Sequence, residues 1–235
     1  MSGFLFLSAC LSLLSLIALV RSLAMMTYLN IHFAHEVDPF SRAVSYYVFY
    51  GDGREEFATS ATVLALGTVL MLTGMWVQGI RLGGASTAFF GIWCASLTLC
   101  AIFPTDNSKS IVSTSGLIHQ VAGASLFVSL PLAGLSLARR LATDDRWART
   151  ARVVRRMAMV AMGLAAAYLA TRLPDIFPSL AIPGVLDGRG FSGLVQRALF
   201  GLEMLMLMAL AVRLLRVVVS SARERREPAR VEVAG

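Results

Sequence analysis

The sequence predicts an all-α polytopic membrane protein, a bundle of six transmembrane helices with both termini in the cytoplasm. Of its 235 residues, 57% are hydrophobic and 15% are charged, whereas soluble domains have roughly 45–50% apolar and about 25% charged residues. The mean hydropathy is +0.70. Six apolar stretches approach or exceed the roughly 20 residues that a bilayer crossing needs. They lie at about 4–26, 57–79, 84–103, 115–138, 154–172 and 194–217. We therefore expect one domain over residues 1–220.

The distribution of arginine predicts the orientation. Arginines are concentrated in the connection at 139–156 and in the tail at 221–235, and Arg81 lies in the turn after the second stretch, whereas the other connections are mixed or acidic. Basic residues collect on the cytoplasmic side of a membrane. All arginine-rich segments fall on one side only if the number of spans is even, which favours six spans. Arg155 and Arg156 shorten the fifth stretch, so four or five spans remain the alternative.

The net charge of +7 does not indicate nucleic-acid binding, because the arginines flank apolar runs and no nucleic-acid-binding motif accompanies them. We expect these arginines, with Trp147 among them, to lie at the headgroups, so membrane lipids are the expected partners. The cysteines lie inside apolar runs and predict neither a disulfide nor a metal site. The sequence contains no cofactor-binding motif. The tail at 221–235 is expected to be disordered, and the N-terminal run is expected to be a retained span.

A polar cluster is predicted at the outward face around Asp106 and His119. Pro104 ends the third span, Asp106 lies in the turn that follows, and His119 lies about one turn inside the fourth span. An acid and an imidazole at a membrane face need partners. His119 either hydrogen-bonds to Asp106 or a backbone carbonyl, which fixes the loop, or is a catalytic acid/base residue oriented by Asp106. Nearby serines are too common to establish a Ser-His-Asp triad.

The sixth span supplies further candidate binding residues. Gln196 and Glu203 are seven residues apart and share one face of the helix. Arg197 lies near the outer interface, so it needs an anionic partner: Asp106, then Asp175, or the anion of a lipid or substrate. Glu203 is the deepest acid and is expected to be protonated or paired. A single acid does not by itself indicate a transporter.

Two outward connections carry the remaining candidates. The connection from Asn30 to Glu56 is expected to be irregular, and its histidines and acids at 32–38 match no zinc motif, so no metal is predicted. Ser45 and Tyr47 belong to an aromatic segment interpreted as an interfacial belt, with a cap over a pocket as the alternative. The connection at 173–191 is rich in proline and glycine and is expected to be a lid without regular structure.

Several of these segments together resemble one family. They are Asp-Pro-Phe followed by Ser45-x-Tyr47 and glycines, the Phe-Pro-Thr-Asp turn, His119 in the next span, and Gly-Leu-x-Gln-Arg at the start of the last span. In this order they resemble the bacterial and archaeal membrane proteins called domain of unknown function 998, over roughly residues 5–217. The resemblance implies a six-span membrane protein, and Glu203 is not expected from the family pattern. It marks Ser45, Tyr47, Pro104, Asp106, His119, Gln196 and Arg197 without assigning them roles.

Three classes of function follow as hypotheses. The first is a membrane protein that binds or handles a lipid-like or hydrophobic small molecule through the outward polar cluster. The second is an intramembrane enzyme that acts on a lipid-like substrate, with His119 and Asp106 as acid/base residues. The third is a proton-coupled transporter that uses Glu203. It is disfavoured because the two halves of the chain show no convincing internal repeat.

Overall fold

The computed structural model describes residues 3–108, 111–176 and 188–224, with the side chains of 173–176 and 188–189 left out. These ranges contain helices and turns but no strand, which confirms the all-α class. Short 3-10 helices at Val44–Phe49 and Gly188–Phe191 precede the second and sixth helices. The six α-helices are α1 (Gly3–His32), α2 (Gly53–Val77), α3 (Gly84–Ile102), α4 (Thr114–Leu141), α5 (Ala148–Ile176) and α6 (Ser192–Glu224).

The helices form a closed ring. Each one packs against the next along the chain, and α6 packs back against α1. α6 also touches α2 and α4, so it lies nearer the centre than its place in the ring alone would require. Fully buried side chains such as Met71, Trp93 and Leu210 fill the interior. Close packing of this kind fixes the relative positions of the helix ends, where the polar residues lie.

The connections fall at two ends of the ring. At the first, which we call the site end, Arg197 at the start of α6 contacts the connection between α1 and α2, and Tyr46 of that connection donates to the carbonyl of Ser108. At the second, the arginine-rich end, the Arg140 guanidinium lies against Gly83, and Arg213 of α6 donates to the carbonyl of Arg146. The polar residues predicted to form an outward cluster are therefore near the site end.

Five helices, α1 to α5, are long and apolar enough to cross a membrane in the described part of the chain. The fifth, expected to be the weakest, is among them. α6 has 33 residues but carries the charged residues Arg197, Glu203, Arg213 and Arg216. The membrane-like helical bundle is confirmed, and the sixth span stays a prediction.

Most of the helices extend beyond the predicted apolar stretches, although α2 ends at Val77 and α3 at Ile102, slightly before them. α1 continues past residue 26 to His32, and α5 begins at Ala148 instead of residue 154. Residues 221–224 were expected in the disordered tail, but they continue α6; residues 225–235 lie outside the described ranges. Polar residues extend a helix as readily as apolar ones where it leaves the bilayer, so hydropathy marks the apolar core of a span and not its ends.

Candidate ligand-binding site

The end of α3 determines where His119 lies. Pro104 has no N–H to donate to the carbonyl of Cys100, four residues earlier, so the helix stops and leaves acceptors unpaired. The buried His119 ring meets one of them, because its Nδ1 is 2.8 Å from the carbonyl oxygen of Phe103. The Cys100 thiol in turn donates to the carbonyl of His119. His119 therefore joins α4 to the end of α3 through backbone carbonyls, one of the arrangements that the sequence predicts.

Asp106 caps α4 and does not orient His119. Its Oδ2 accepts from the backbone N–H groups of Val112 (2.9 Å) and Ser113 (3.1 Å), and its Oδ1 accepts from the Ser113 hydroxyl (2.6 Å). The Ser113 hydroxyl in turn accepts from the N–H of Gly116, as an N-cap does. The hydrogen bond from the Ser113 side chain, then that from the Val112 backbone, hold the pKa of Asp106 below its usual value. Among the described residues, no hydrogen bond joins Asp106 to His119.

Arg197 is held by neutral oxygen atoms and not by the predicted carboxylate. Its acceptors are Asn30 Oδ1, Tyr47 Oη and the carbonyl oxygens of Pro39, Arg42 and Gly193, at 2.5–3.1 Å. No ion pair joins Arg197 to Asp106 in the described ranges, and the side chain of Asp175 lies outside them. Several aligned dipoles satisfy the guanidinium donors, so the expected ion pair is not needed.

The loop before the first 3-10 helix presents the carbonyls of Pro39 and Arg42 to Arg197. The Asp38 carboxylate accepts from the Ser41 hydroxyl and from the backbone N–H groups of Phe40 and Ser41, which fixes a tight turn. These bonds, led by the Ser41 hydroxyl, lower the pKa of Asp38, with a smaller contribution from the charge of Arg197. A side chain at Gly193 would overlap the carbonyl of Arg42. Glycine there allows the loop to lie directly on α6.

Tyr47 closes the site end of the bundle, so its interpretation as part of an interfacial belt is wrong. It is fully buried, its ring stacks on Phe33 with centroids 6.0 Å apart, and its hydroxyl donates to Asn30 and accepts from Arg197. Its 3-10 helix, Val44–Phe49, packs against α2 and α6. The structure thus favours the alternative that this segment caps a pocket.

Two adjoining cavities lie beneath this cap. The outer cavity has a volume of about 280 Å³ and lies between residues 43–46, α4 and α5. The inner cavity, of about 50 Å³, is lined by side chains from α1, α2, α3, α4 and α6 and therefore lies near the bundle axis. Both are lined by Ser45, His119, Gly123, Phe127 and Gln196. Three of the predicted site residues thus come together at the junction of the cavities.

The polar groups at this junction are few and mostly neutral. Gln196 is fixed in place, because its Oε1 accepts from the backbone N–H of Val44 (2.9 Å) and its Nε2 donates to the Tyr168 hydroxyl (3.3 Å). The Ser45 hydroxyl is buried and has no hydrogen-bond partner among the described residues. Arg172 lines the outer cavity and adds a positive charge. A ligand would meet hydrogen-bonding groups at one point and apolar walls elsewhere.

Several residues at the site end were not predicted from the sequence. Tyr168 and Arg172, which line the outer cavity, lie within the fifth apolar stretch, where nothing distinguished them from ordinary residues of a span. Asn30 was placed only at the start of a loop, yet its side chain joins Arg197 to Tyr47. None of these three residues occurs in a spacing that distinguishes a ligand site from an ordinary helix end.

Glu203 and Trp147 line neither cavity. Glu203 is 0% exposed, and neither of its carboxyl oxygens has a hydrogen-bond partner in the described ranges. Trp147, expected at the headgroups, is fully buried under the arginine-rich end. The three cysteines are free. Within the described residues no three His, Cys, Asp or Glu side chains are grouped to hold a metal ion.

Fold and site together define a helical integral membrane protein with a capped, mostly apolar cavity at one end of its bundle. The chain belongs to the family described as protein of unknown function DUF998, whose family model matches residues 16–213. The resemblance noted in the sequence is therefore confirmed. No curated protein and no solved structure matches the chain. Membership brings no assigned activity.

Proposed function

We propose that the protein binds a lipid-like or hydrophobic small molecule in the two adjoining cavities, with the polar head of the ligand near Ser45. The observation that carries the proposal is an apolar cavity in which the Ser45 hydroxyl has no partner among the described residues, while Gln196 and Tyr168 are held beside it. A mostly apolar pocket with a few convergent polar groups is the usual form of a small-molecule site.

The size and position of the outer cavity favour a ligand that enters from the membrane. Its volume of about 280 Å³ is close to the lower end of the roughly 300–1,000 Å³ of small-molecule pockets. The cavity would hold the polar head of a lipid-like ligand and part of its hydrocarbon tail. Leu117 and Val121 line the cavity and are also 49% and 60% exposed on the bundle surface. An apolar tail can therefore leave the cavity over α4 and remain in the bilayer.

The enzymatic alternative has less support from the geometry. An acid/base mechanism with Asp106 orienting His119 needs a hydrogen bond between them. Asp106 instead accepts three hydrogen bonds at the start of α4, and the His119 ring bonds to the Phe103 carbonyl at the end of α3. We therefore propose His119 as a wall of the binding site and not as a catalytic residue.

Substitution of Gly123 tests the ligand site. A side chain added there meets nothing within 4 Å, and Gly123 lines both cavities. Gly123→Leu should fill the site without displacing neighbours. Gly163 has equally open surroundings but is exposed on α5, so Gly163→Leu is the matched control. In native mass spectrometry of gently solubilised protein, a bound small molecule should remain on wild type and Gly163→Leu and be lost from Gly123→Leu. Equal occupancy of all three, or none in any, contradicts the proposal.

We also propose that all six helices span the plasma membrane, with both termini cytoplasmic. Support comes from the collection of arginines at the end of the ring that carries residues 78–83 and 142–147. Asp52 and Asp145 are exposed at opposite ends. With the native cysteines removed, a membrane-impermeant maleimide should label Asp52→Cys in intact cells and Asp145→Cys only after lysis. The reverse pattern would overturn the orientation.

A further inference from the structure

Glu203 is an acid in the interior that the proposed ligand site does not use. Its side chain is 0% exposed, and both carboxyl oxygens are without a hydrogen-bond partner in the described part of the chain. An isolated ionised carboxylate is very costly in apolar surroundings, and the group avoids that cost by holding a proton. Ionisable residues inside a membrane bundle commonly mark proton or ion pathways.

Glu203 lies just below the inner cavity. Gln196 and Phe200, which precede it on α6, both line that cavity. Glu203 follows Gln196 by seven residues, so the two share a helix face, and it lies about 4.5 Å along the axis beyond Phe200 at 1.5 Å per residue. With a volume of about 50 Å³, the inner cavity exceeds the roughly 10–15 Å³ that one water molecule needs. Water can thus come within one helix turn of the acid.

We propose that Glu203 is a proton-binding site in the bundle interior, loaded and emptied through the two cavities. In the unloading step the O–H bond of the carboxylic acid breaks, and its proton joins a water molecule in the inner cavity, leaving a carboxylate; loading is the reverse. Phe200 separates the acid from this water and controls the exchange. A ligand in the inner cavity displaces the water, so occupancy and proton exchange are coupled, and only this coupling rests on the proposed function.

The titratable groups along the route come from three helices and the first 3-10 helix. They are Cys100 of α3, His119 of α4, Tyr168 and Arg172 of α5, and Tyr46 of the 3-10 helix. The side chains that α1 and α2 contribute to the inner cavity are apolar. Of these groups His119 alone lines both cavities, so it is the side chain best placed to relay the proton toward the site end.

Infrared spectroscopy of the full chain in lipid nanodiscs tests the proposal without any ligand. At neutral pH the wild type should show the carbonyl band of a protonated carboxylic acid, and Glu203→Gln should lose it. Glu203→Asp should shift the frequency of the band. If Glu203→Gln does not fold, this shift assigns the band to residue 203. On transfer to D₂O the wild-type band should shift as the proton exchanges. Phe200→Ala should speed this shift, and Gly123→Leu should slow it, while Gly163→Leu should leave it unchanged.

Two results would overturn the proposal. If no band depends on Glu203, the residue is ionised and holds no proton. If the band is present but does not shift in D₂O over hours, Glu203 is a sealed structural acid. Failure of the ligand proposal leaves this measurement intact, because the band and its exchange are read on protein without added ligand.

Discussion

Replacing Arg197 with glutamine removes the group that fastens α6 to the loop between α1 and α2. The guanidinium donates five hydrogen bonds, four of them partly buried, to acceptors on α1, the loop and α6 itself. Glutamine is shorter and can replace at most one of them. The Tyr47 hydroxyl, the Asn30 side chain and the loop carbonyls would then compete for water in a partly closed site. The cap over the cavities should loosen as a result.

The expected loss follows from those four bonds. At about 1 kcal/mol of net stability for each hydrogen bond, Arg197→Gln should cost about 4 kcal/mol. For a chain of this size that corresponds to a fall in Tm of about 8–16 °C, at about 2–4 °C per kcal/mol. Arg197→Lys keeps the charge but offers its donors from one point, so it should recover only part of the loss.

Thermal unfolding in a single mild detergent measures this effect. Arg216→Gln is the matched control, because Arg216 is an exposed arginine on the same helix, and its loss should stay within about 0.5 kcal/mol. A Tm for Arg197→Gln equal to that of the control would refute the anchoring role. Full recovery by Arg197→Lys would show that charge, and not the geometry of the guanidinium, stabilises the cap.

Three further predictions concern the Asp106 cap. Because Asp106 and Arg197 make separate contacts, the losses of Asp106→Asn and Arg197→Gln should add to within about 0.5 kcal/mol in a double-mutant cycle, and a clear shortfall would reinstate their ion pair. The pKa of Asp106 lies below its ordinary 3.8. The difference in unfolding free energy between wild type and Asp106→Asn should therefore be largest above that pH and should disappear at lower pH. A difference that does not change with pH would contradict the capping role of Asp106. Gly116→Ala should push a methyl group into the Asp106 carboxylate and destabilise the protein. Gly123→Ala on the same helix is the control and should be neutral or stabilising by up to about 1 kcal/mol. Thermal melts measure both effects.

The sequence was sufficient to place the helices because the bilayer imposes one length on every apolar run. It was less informative about their ends, which depend on individual hydrogen bonds. α4 begins where Ser113 accepts from the N–H of Gly116, and α3 ends because Pro104 has no donor. The end of α3 at Pro104 was anticipated, since it is local in sequence. The extension of α1 to His32 was not anticipated, because no residue near His32 signals where the helix ends.

Partners across the bundle could not be read in the same way. Arg197 was expected to find a carboxylate, but three carbonyls, a hydroxyl and an amide oxygen satisfy it. Backbone acceptors are present at every residue, so the sequence gives no sign of which ones a loop will turn inward. Here Asp38 determines which carbonyls face Arg197, because its hydrogen bonds fix the turn that follows it.

Apart from Pro104, which ends α3, the residues that the family resemblance marked divide into two groups in space. Tyr47 and Arg197 hold the cap over the cavities, and Asp106 caps the start of α4, all through hydrogen bonds. Ser45 and Gln196, with His119, face the cavities instead. A substitution in the first group alters stability whatever the protein does, so its effect on activity would not identify a binding residue. Ser45 is different, because its hydroxyl satisfies no group among the described residues. Loss of ligand from Ser45→Ala at unchanged Tm would therefore report on binding itself.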